Sequence, residues 1–217
     1  MRLYSYWRSS SAYRVRIALN LKGLDYETIP VHLVRDGGEQ HSESFRRVNP
    51  QQLVPALEWQ NTVIMQSCAI IEFLEDRWPA PPLLPADAGA RARVRSLAQL
   101  VACEIQPLNN LRVLIELRQR FGADEEQVRH WYQHWLGLGF SALEAELRRT
   151  AASADFCAGN TPGMADAFLI PQVYNARRYD FDLTAYPEIE RIDANCANHP
   201  AFIAAAPENQ PDAPEIK

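Results

Sequence analysis

Apolar residues in the first third of the chain recur with two different periods. Residues 2–7 and 26–31 have the composition of strands, and between them residues 11–22 follow the period of an amphipathic helix that Gly23 ends. This order of strand, helix and strand predicts a βαβ unit at the start of the chain.

A change of pattern then divides the chain in two. Residues 54–58 and 62–65 predict a hairpin and residues 69–78 predict a helix, which completes an α/β domain over residues 1–80. Residues 81–86 belong to a proline-rich segment that cannot lie inside a helix and therefore predicts a linker.

The remainder, residues 87–217, is predicted to be an all-α domain. Its helical periods cover about residues 87–120, 124–150, 163–178 and 187–198. Residues 207–217 contain three prolines and no core pattern, so we expect this tail to lie on the surface or to be loosely ordered.

Composition indicates a globular protein without a membrane segment. Apolar residues make up 47% of the 217 residues, and no apolar run approaches the roughly 18 residues of a membrane span. The chain starts directly with strand-like sequence and shows no apolar leader, so we expect a cytoplasmic protein.

Charge is distributed unevenly along the chain. Acidic residues outnumber basic ones by 27 to 22, which argues against binding to nucleic acid. The first 24 residues nevertheless contain only basic charges, at Arg2, Arg8, Arg14, Arg16 and Lys22. Because arginine binds carboxylates in bidentate fashion, a small anion is the expected partner. Arg14 and Arg16 themselves are expected in interdomain or surface ion pairs.

The residue types that bind metals do not predict a metal site. The four cysteines are far apart and form no CxxC motif, which favours buried, reduced thiols over disulfides or zinc. His130 and His134 are four residues apart on a helix, but they fall on its polar face and are expected to be solvated. The apolar stripe of this helix is predicted to consist of Val128, Trp131, Trp135 and Leu138.

Two features of the α/β domain suggest a ligand site. Ser9, Ser10 and Ser11 fall where the first strand ends and the first helix begins, so their hydroxyls and the free N–H groups of the helix share one small volume. Helix capping alone is the alternative explanation for these serines. Pro55 follows Val54 in a strand-like stretch, although proline cannot donate a ladder hydrogen bond.

Six segments, in order along nearly the whole chain, resemble the zeta class of glutathione transferases. They are YSYWRSSSAYRVRIALNLKGLDYE, NPQQLVPAL, QSCAIIEFLE, LLPAD, IQPLNNLRVL and PQVYNARRYDFDLTAYP. The resemblance implies the glutathione transferase fold, which consists of a thioredoxin-like N-terminal domain and an all-helical C-terminal domain. It also implies a homodimer and glutathione as the cofactor.

The resemblance assigns residues of this chain to glutathione. A cis bond before Pro55 would direct the backbone of Val54 outward, where it pairs with the cysteinyl unit of glutathione. Gln66 and Ser67 correspond to the family's contacts with the γ-glutamyl end. The resemblance further suggests that Gln52 contacts the glycyl end of glutathione and that Gln106 and Asn110 contact glutathione from the helical domain.

The chemistry implied is the isomerisation of a small dicarboxylate. Ser9 corresponds to the family's catalytic serine and Ser10 to the serine that follows it, while Ser11 stands where the family usually has cysteine. That replacement excludes a mixed disulfide with glutathione at this position and disfavours thiol-transferase chemistry. Arg8, Arg112 and Arg178 are the expected substrate-binding residues, with surface positions as the alternative for each.

Three classes of function are compatible with the sequence. The favoured one is a glutathione-dependent cis–trans isomerase of a maleyl keto acid, maleylacetoacetate or, alternatively, maleylpyruvate, in aromatic catabolism. A second is a transferase that conjugates small electrophiles or dehalogenates haloacids, and a third is a non-enzymatic binding protein with the same fold. The arginines favour the first class, because apolar xenobiotics do not need them.

Overall fold

The computed structural model describes residues 1–150 and 154–214, which form two compact units. The first unit consists of Met1–Leu83 and the chain from Asn198 onward, and the second of Leu84–Ala197. The described strands are β1 (Arg2–Ser5), β2 (Glu27–Pro30), β3 (Ala56–Trp59) and β4 (Thr62–Met65). The described α-helices are α1 (Ser10–Leu21), α2 (Glu43–Val48), α3 (Ser67–Arg77), α4 (Ala88–Gln99), α5 (Leu111–Phe121), α6 (Glu125–Thr150), α7 (Met164–Arg178), α8 (Pro187–Ala197) and α9 (Pro200–Ala205).

The first unit is built on a mixed four-stranded sheet in the order β2-β1-β3-β4. β1 pairs with β2 in parallel and with β3 in antiparallel orientation, and β3 and β4 form an antiparallel hairpin. The predicted βαβ unit, hairpin and following helix are therefore confirmed. In the register, Tyr4 lies opposite Ala56, which in turn lies opposite Met65. Consequently the end of β1, the start of β3 and the end of β4 lie at the same end of the sheet.

Helix α1 forms the centre of this unit because it is buried on nearly all sides. Val15, Ile17 and Leu19 are fully buried, and the helix packs against both α3 and α9. The two arginines of α1 are buried as well, Arg14 with 2% and Arg16 with 0% of its surface exposed. The burial of both side chains contradicts the expectation of surface ion pairs, whereas interdomain ion pairs stay a prediction.

A buried ion pair fastens the linker to the first unit. Lys22 Nζ lies 2.8 Å from Glu75 Oε2 and donates to the carbonyl oxygens of Trp78 and Pro81 at 2.6 and 3.0 Å. Glu75 Oε2 also accepts a hydrogen bond from the Leu83 N–H. Because these contacts reach across the proline-rich segment, the unit extends to Leu83, beyond the predicted boundary at residue 80.

The C-terminal segment also differs from its prediction. The chain from Asn198 onward packs with the first unit, whereas the sequence pattern assigned it to the helical domain. Asp212 Oδ2 accepts a hydrogen bond from the Trp7 N–H at 2.9 Å, and Gln210 Nε2 donates to the carbonyls of Ala204 and Ala206. Up to residue 213 the tail is thus held by specific contacts, and residues 215–217 lie outside the described part.

The second unit is helical, as predicted, but its first long helix is interrupted. After α4 the chain continues as a π-helical turn, Leu100–Ile105, and α5 begins only at Leu111. Pro107 lies in the interruption, and the Asn110 side chain accepts from the Arg112 N–H to cap α5. The single predicted helix over residues 87–120 is therefore two helices.

The buried face of α6 is rotated from the predicted stripe. Val128, Tyr132, Leu136 and Phe140 are almost completely buried, whereas Leu138 is 57% exposed. A spacing of four residues advances only about 40° around the helix at each step, so these four residues also share one side of α6. His130 and His134 are exposed as expected.

Two buried carboxylates cap helices of this unit. Asp166 Oδ2 accepts from the Gly163 N–H and its Oδ1 from the Cys157 N–H, at 2.8 and 2.9 Å. Burial raises the pKa of Asp166, and these backbone hydrogen bonds oppose that shift. Glu144 accepts from the N–H groups of Glu188 and Ile189 at the start of α8. A structural role for Asp166 agrees with this geometry.

The cysteines are all free, but only two match the prediction of burial. Cys157 and Cys196 are buried, whereas Cys68 is half-buried and Cys103 is exposed. Within residues 1–150 and 154–214, no cluster of three or more histidine, cysteine or acidic side chains could hold a metal ion. In the same ranges no helix is both long and apolar enough to cross a membrane.

Gly139 permits the close approach of the π-helical turn to α6, which generates the first prediction. A Cβ at position 139 would overlap Cδ1 and Cγ1 of Ile105, a completely buried side chain. We expect Gly139→Ala to lower the free energy of unfolding by about 1–3 kcal/mol, measured by urea denaturation.

Gly137→Ala is the matched control, because a Cβ there would lie 3.8 Å from Phe181 Cε2, an ordinary van der Waals distance. It should leave stability unchanged or raise it by up to about 1 kcal/mol through helix propensity. Equal effects of the two substitutions would contradict the packing argument.

Candidate functional site

Three segments of the first unit meet at one end of the sheet. The serine triplet follows β1, residues 52–55 precede β3, and Gln66 and Ser67 follow β4. The antiparallel registers of β1 with β3 and of β3 with β4 bring all three to the same end. β2 is parallel to β1, so the loop after β2 also starts there.

The serine triplet forms the N-terminus of α1. Ser9 is the N-cap residue, and its Oγ accepts a hydrogen bond from the Ala12 N–H at 3.2 Å. Ser10 is the first helical residue and is buried, while Ser11 is half-buried. Capping uses a lone pair of Ser9 Oγ and leaves its hydroxyl proton available to an anion. The capping explanation and the binding prediction therefore do not exclude each other.

Hydrogen bonds from the buried Arg16 side chain fix the turn between β1 and Ser9. Its guanidinium donates to the carbonyls of Tyr6 and Trp7 at 3.4 and 2.9 Å, to Ser5 Oγ at 3.2 Å, and to the Ala205 carbonyl at 3.0 Å. Burial lowers the pKa of the Arg16 guanidinium to about 10, so the group remains charged at neutral pH. These bonds also explain why β1 ends at Ser5 and not at residue 7 as predicted.

The Val54–Pro55 bond is cis, as the resemblance implied. No described residue forms a hydrogen bond with the N–H or C=O of Val54. Asn49 fixes the preceding loop, since its Nδ2 donates to the Leu53 carbonyl at 2.7 Å and its Oδ1 accepts from the Gln51 N–H at 2.9 Å. The result is a fixed backbone with an unpaired donor and acceptor at the end of the sheet.

Gln66 and Ser67 form the start of α3. Ser67 is buried, and its Oγ accepts a hydrogen bond from Arg14 Nη1 at 3.3 Å. Gln66 adopts φ 72° and its Nε2 donates to Gln51 Oε1 at 2.8 Å. A guanidinium beneath a helix N-terminus creates a positive potential, which favours a carboxylate ligand.

The roles of Asn49, Arg14 and Arg16 do not follow from the sequence pattern. The Asn49-Pro50 step signalled a turn, which is a usable indication for Asn49. Arginines on a buried helix give no comparable signal, because their acceptors lie on segments distant in sequence.

Gln52 carries a further contact on the opposite side of the loop. It adopts φ 57°, and its Oε1 lies 2.7 Å from Nδ1 of His41. Gln51, the preceding residue, contacts Gln66 instead, so the two consecutive side chains diverge.

The remaining predicted residues include Arg8 in the first unit and four residues of the second. Arg8 is half-buried, with its guanidinium 5.2 Å from the centre of the Trp7 ring. Arg112 is exposed at the start of α5, and Gln106 is half-buried at the end of the π-helical turn. Asn110 Oδ1 accepts the hydrogen bond that caps the helix, and its Nδ2 remains available to donate to a ligand. The roles of these residues stay predictions.

Arg178 is exposed at the end of α7, where it has two neighbours. Its Nη1 donates to Asn175 Oδ1 at 3.2 Å, and its guanidinium lies 5.7 Å from the centre of the Tyr179 ring. These contacts orient the side chain, and its predicted role in substrate binding stays a prediction.

Comparison with known proteins agrees with this geometry. Residues 8–77 match the N-terminal domain of glutathione S-transferases and residues 129–199 match the C-terminal domain. The maleylacetoacetate isomerase of Pseudomonas aeruginosa is 51% identical over 215 residues, which cover 99% of each chain. The maleylpyruvate isomerase of Ralstonia is 51% identical over 213 residues, which cover 98% of this chain and 99% of the relative.

Solved structures extend the similarity to three dimensions. A holo structure of a maleylpyruvate isomerase, described as a bacterial zeta-class glutathione S-transferase, superposes with a TM-score of 0.96 at 50% identity, covering 99% of this chain and all of the other. The maleylacetoacetate isomerase of Anaeromyxobacter dehalogenans, solved with glutathione in its active site, gives 0.88 at 45% identity, covering 98% and 97%.

The chain belongs to the glutathione S-transferase family. Within that family its similarity is to the zeta class, which confirms the resemblance of the six segments.

The position of Arg16 generates the second prediction. Among the described residues, Arg16→Leu removes the only hydrogen-bond donor to the Trp7 and Ala205 carbonyls, whereas the Tyr6 carbonyl keeps its bond from the Ser9 N–H. Because each buried acceptor left without a partner costs about 1–3 kcal/mol, we expect the free energy of unfolding to fall by about 2–6 kcal/mol, measured by guanidinium chloride denaturation. Arg46→Leu, at an exposed position of α2, should change stability by less than about 0.5 kcal/mol. Similar losses for both variants would contradict the role of Arg16.

Proposed function

We propose that the chain catalyses the glutathione-dependent cis–trans isomerisation of a maleyl keto acid, with maleylacetoacetate as the first candidate. The observation that carries the glutathione site is the unpaired N–H and C=O of Val54, flanked by hydroxyl groups at two helix N-termini. The isomerase activity is supported by relatives of that name, which are about half identical over nearly the whole chain.

Glutathione fits the site formed by Val54 and the two helix N-termini as an extended peptide. The backbone of Val54 offers one donor and one acceptor for the cysteinyl unit, in the manner of a short strand pair. Ser67 and the N-terminus of α3, with Arg14 beneath, suit the γ-glutamyl carboxylate. In solved relatives glutathione occupies the active site, which supports it as the cofactor of this chain.

The serine triplet would stabilise the thiolate of glutathione. A thiol with a pKa of about 8.5 is only about 3% ionised at pH 7, and lowering the pKa by two units requires about 2.7 kcal/mol. A hydroxyl donor contributes about 1–3 kcal/mol and a helix N-terminus about 0.3–1 kcal/mol more. Ser9 with the start of α1 therefore supplies sufficient stabilisation, and Ser10 and Ser11 line the same helix terminus.

The reaction proceeds by addition and elimination. The thiolate forms a C–S bond to one carbon of the cis double bond, and the π electrons move onto the conjugated carbonyl oxygen as an enolate. Rotation about the resulting C–C single bond follows. The electron pair then returns, the C–S bond breaks, and the trans product leaves with the thiolate regenerated. The C–S bond that forms in the first step is broken in the last, so glutathione is not consumed.

The substrate carries two carboxylates, and we assign Arg8, Arg112 and Arg178 to them. A charge-assisted hydrogen bond from arginine contributes about 1.5–3 kcal/mol. Arg8 directly precedes the catalytic serine in the chain. Ser11 in place of the usual cysteine leaves this mechanism intact, because the attacking sulfur belongs to glutathione.

Maleylpyruvate is the second candidate substrate. The relatives named for maleylpyruvate and for maleylacetoacetate isomerisation are equally similar to the chain, at 51% identity. Both substrates share the reacting maleyl carbons and differ at the far end. We further propose that the chain forms a homodimer, which is the common assembly of the family. We place its activity in the cytoplasm.

The third prediction tests the reaction itself. With maleylacetone, a surrogate of maleylacetoacetate, or with maleylpyruvate, we expect isomerisation that requires glutathione while the thiol concentration stays constant. Product absorbance and a thiol titration measure the two quantities in parallel. Loss of thiol in proportion to an adduct would assign the chain to the conjugating transferases, and glutathione binding without turnover would assign it to the binding proteins.

The fourth prediction concerns the thiolate. Ser9→Ala should raise the pKa of bound glutathione by about one unit and lower kcat/KM at neutral pH by about three- to tenfold, because the lost hydroxyl donor reduces the fraction of thiolate. Thiolate absorbance of the binary complex as a function of pH measures the shift.

Asp87→Ala is the matched control for the loss of a cap. Asp87 caps α4 through the Ala90 N–H, as Ser9 caps α1 through Ala12, so the cost in stability should be similar at about 1 kcal/mol. The thiol pKa and kcat/KM should remain at wild-type values in this control. A Ser9→Ala variant with an unchanged pH profile would refute the thiolate assignment.

A further inference from the structure

The C-terminal tail contributes a carboxylate to the turn that precedes the serines. Asp212 Oδ2 accepts a hydrogen bond from the Trp7 N–H at 2.9 Å, although the two residues are 205 positions apart in sequence. Asp212 Oδ1 is buried and forms no hydrogen bond with a described residue. Within the described part of the chain, the bond to the Trp7 N–H is therefore the one hydrogen bond of this carboxylate.

The tail is folded so that Asp212 has a fixed place. Residues 210–213 form a turn that a hydrogen bond from the Ala213 N–H to the Gln210 carbonyl closes at 3.0 Å. Pro211 and Asp212 are the two central residues of this turn. Proline favours the first central position because its φ is already fixed, so the local sequence supports the turn that carries the carboxylate.

Trp7 is held at both of its backbone groups. Its N–H donates to Asp212, and its carbonyl accepts from Arg16 Nη2 at 2.9 Å. The indole is half-buried, lies 5.9 Å from the Tyr6 ring between centres, and packs against the apolar cluster that contains Val54. The backbone hydrogen bonds and the apolar cluster together fix the position of the indole.

Arg8 takes its orientation from this indole. Its guanidinium lies 5.2 Å from the centre of the Trp7 ring, which is within the range of a cation–π contact. No described residue forms a hydrogen bond or an ion pair with this guanidinium, so its five N–H donors are available to an anion. A guanidinium that is already oriented loses less conformational entropy when it binds a carboxylate.

The serines are held independently of the tail carboxylate. The Ser9 N–H donates to the Tyr6 carbonyl at 2.9 Å, and Arg16 Nη1 donates to the same oxygen at 3.4 Å. Neither bond involves Asp212. A substitution of Asp212 should therefore affect Arg8 and leave the start of α1 in place.

We propose that Asp212 is a positioning residue which, through Trp7, orients the Arg8 guanidinium for a carboxylate of the substrate. The proposal rests on the proposed function, which assigns Arg8 to the substrate. Its sign is opposite to that of a simple charge effect. Removing a negative charge near an anion site strengthens the binding of anions, whereas the loss of positioning weakens it.

Calorimetric titration of malonate into the full-length protein loaded with glutathione tests this role. Malonate is a dicarboxylate without the reactive double bond, so no turnover occurs. We expect Asp212→Ala to weaken malonate binding about five- to tenfold, while glutathione affinity and the pKa of the bound thiol stay at wild-type values. Malonate binding by Asp212→Ala that equals or exceeds that of the wild type would overturn the proposal.

A conservative variant and a control in the tail separate positioning from tail packing. Asp212→Asn retains a carbonyl acceptor for the Trp7 N–H and should bind malonate within about twofold of the wild type. Asn209→Ala removes the hydrogen bond from Asn209 Nδ2 to the Ile203 carbonyl and should leave malonate affinity unchanged. Equal losses in Asn209→Ala and Asp212→Ala, or in Asp212→Asn and Asp212→Ala, would contradict the inference.

A double-mutant cycle shows whether Asp212 acts through Arg8. Arg8→Ala should weaken malonate binding at least as much as Asp212→Ala does. In the Arg8→Ala background, Asp212→Ala should change malonate affinity by less than about twofold, because the group that it orients is gone. Equal factors with and without Arg8 would overturn the proposal.

Kinetics with maleylpyruvate, a dicarboxylate substrate, make the two proposals fail separately. Asp212→Ala should raise KM in proportion to the loss of malonate affinity and change kcat by less than about twofold. Malonate binding that depends on Asp212, in a protein without isomerase activity, would overturn only the proposed reaction. Isomerase activity with a KM and a malonate affinity independent of Asp212 would overturn only the inference. Absence of malonate binding by the wild type would overturn the inference and the carboxylate assignment together.

Discussion

A guanidinium without contact to solvent organises the first unit. Arg16 reaches four oxygen acceptors, two of them the carbonyls of Tyr6 and Trp7 between β1 and the serines and one in the C-terminal helix α9. Removing a charge from water is costly, and the cost is offset only when every donor is used. The turn that leads from β1 to the serines and the packing of the C-terminal helix α9 therefore depend on the same side chain. A change in one of them affects the other.

The charge of the site differs from the charge of the protein. The chain has a net charge of −5, yet the ends of α1 and α3 are underlain by the two buried arginines Arg14 and Arg16. Buried charges are screened less by salt than surface charges, because the surrounding medium is less polar. Glutathione, with its two carboxylates and a thiolate, thus meets a local positive potential on an acidic protein.

How far the sequence predicted this structure depends on the range of the interactions involved. The sheet, the cis proline and the serines at the start of α1 follow from local patterns, turn chemistry and the family motifs, and the structure agrees with them. The burial of Arg16, the docking of the tail and the extension of the unit to Leu83 were missed, because the acceptors lie up to 189 residues away in sequence. On α6 the sequence offers two apolar stripes of similar spacing, and only packing against the neighbouring helices determines which one is buried.

The ion pair of Lys22 has a practical consequence for chemical modification of the protein. The chain contains only two lysines, Lys22 and Lys217, and the side chain of Lys22 is completely shielded from solvent by Glu75 and the linker carbonyls. Reagents that acylate primary amines react with the unprotonated, accessible amine. In the folded protein Lys22 is therefore closed to such reagents, so its acylation reports that the contacts among Lys22, Glu75 and the linker have opened.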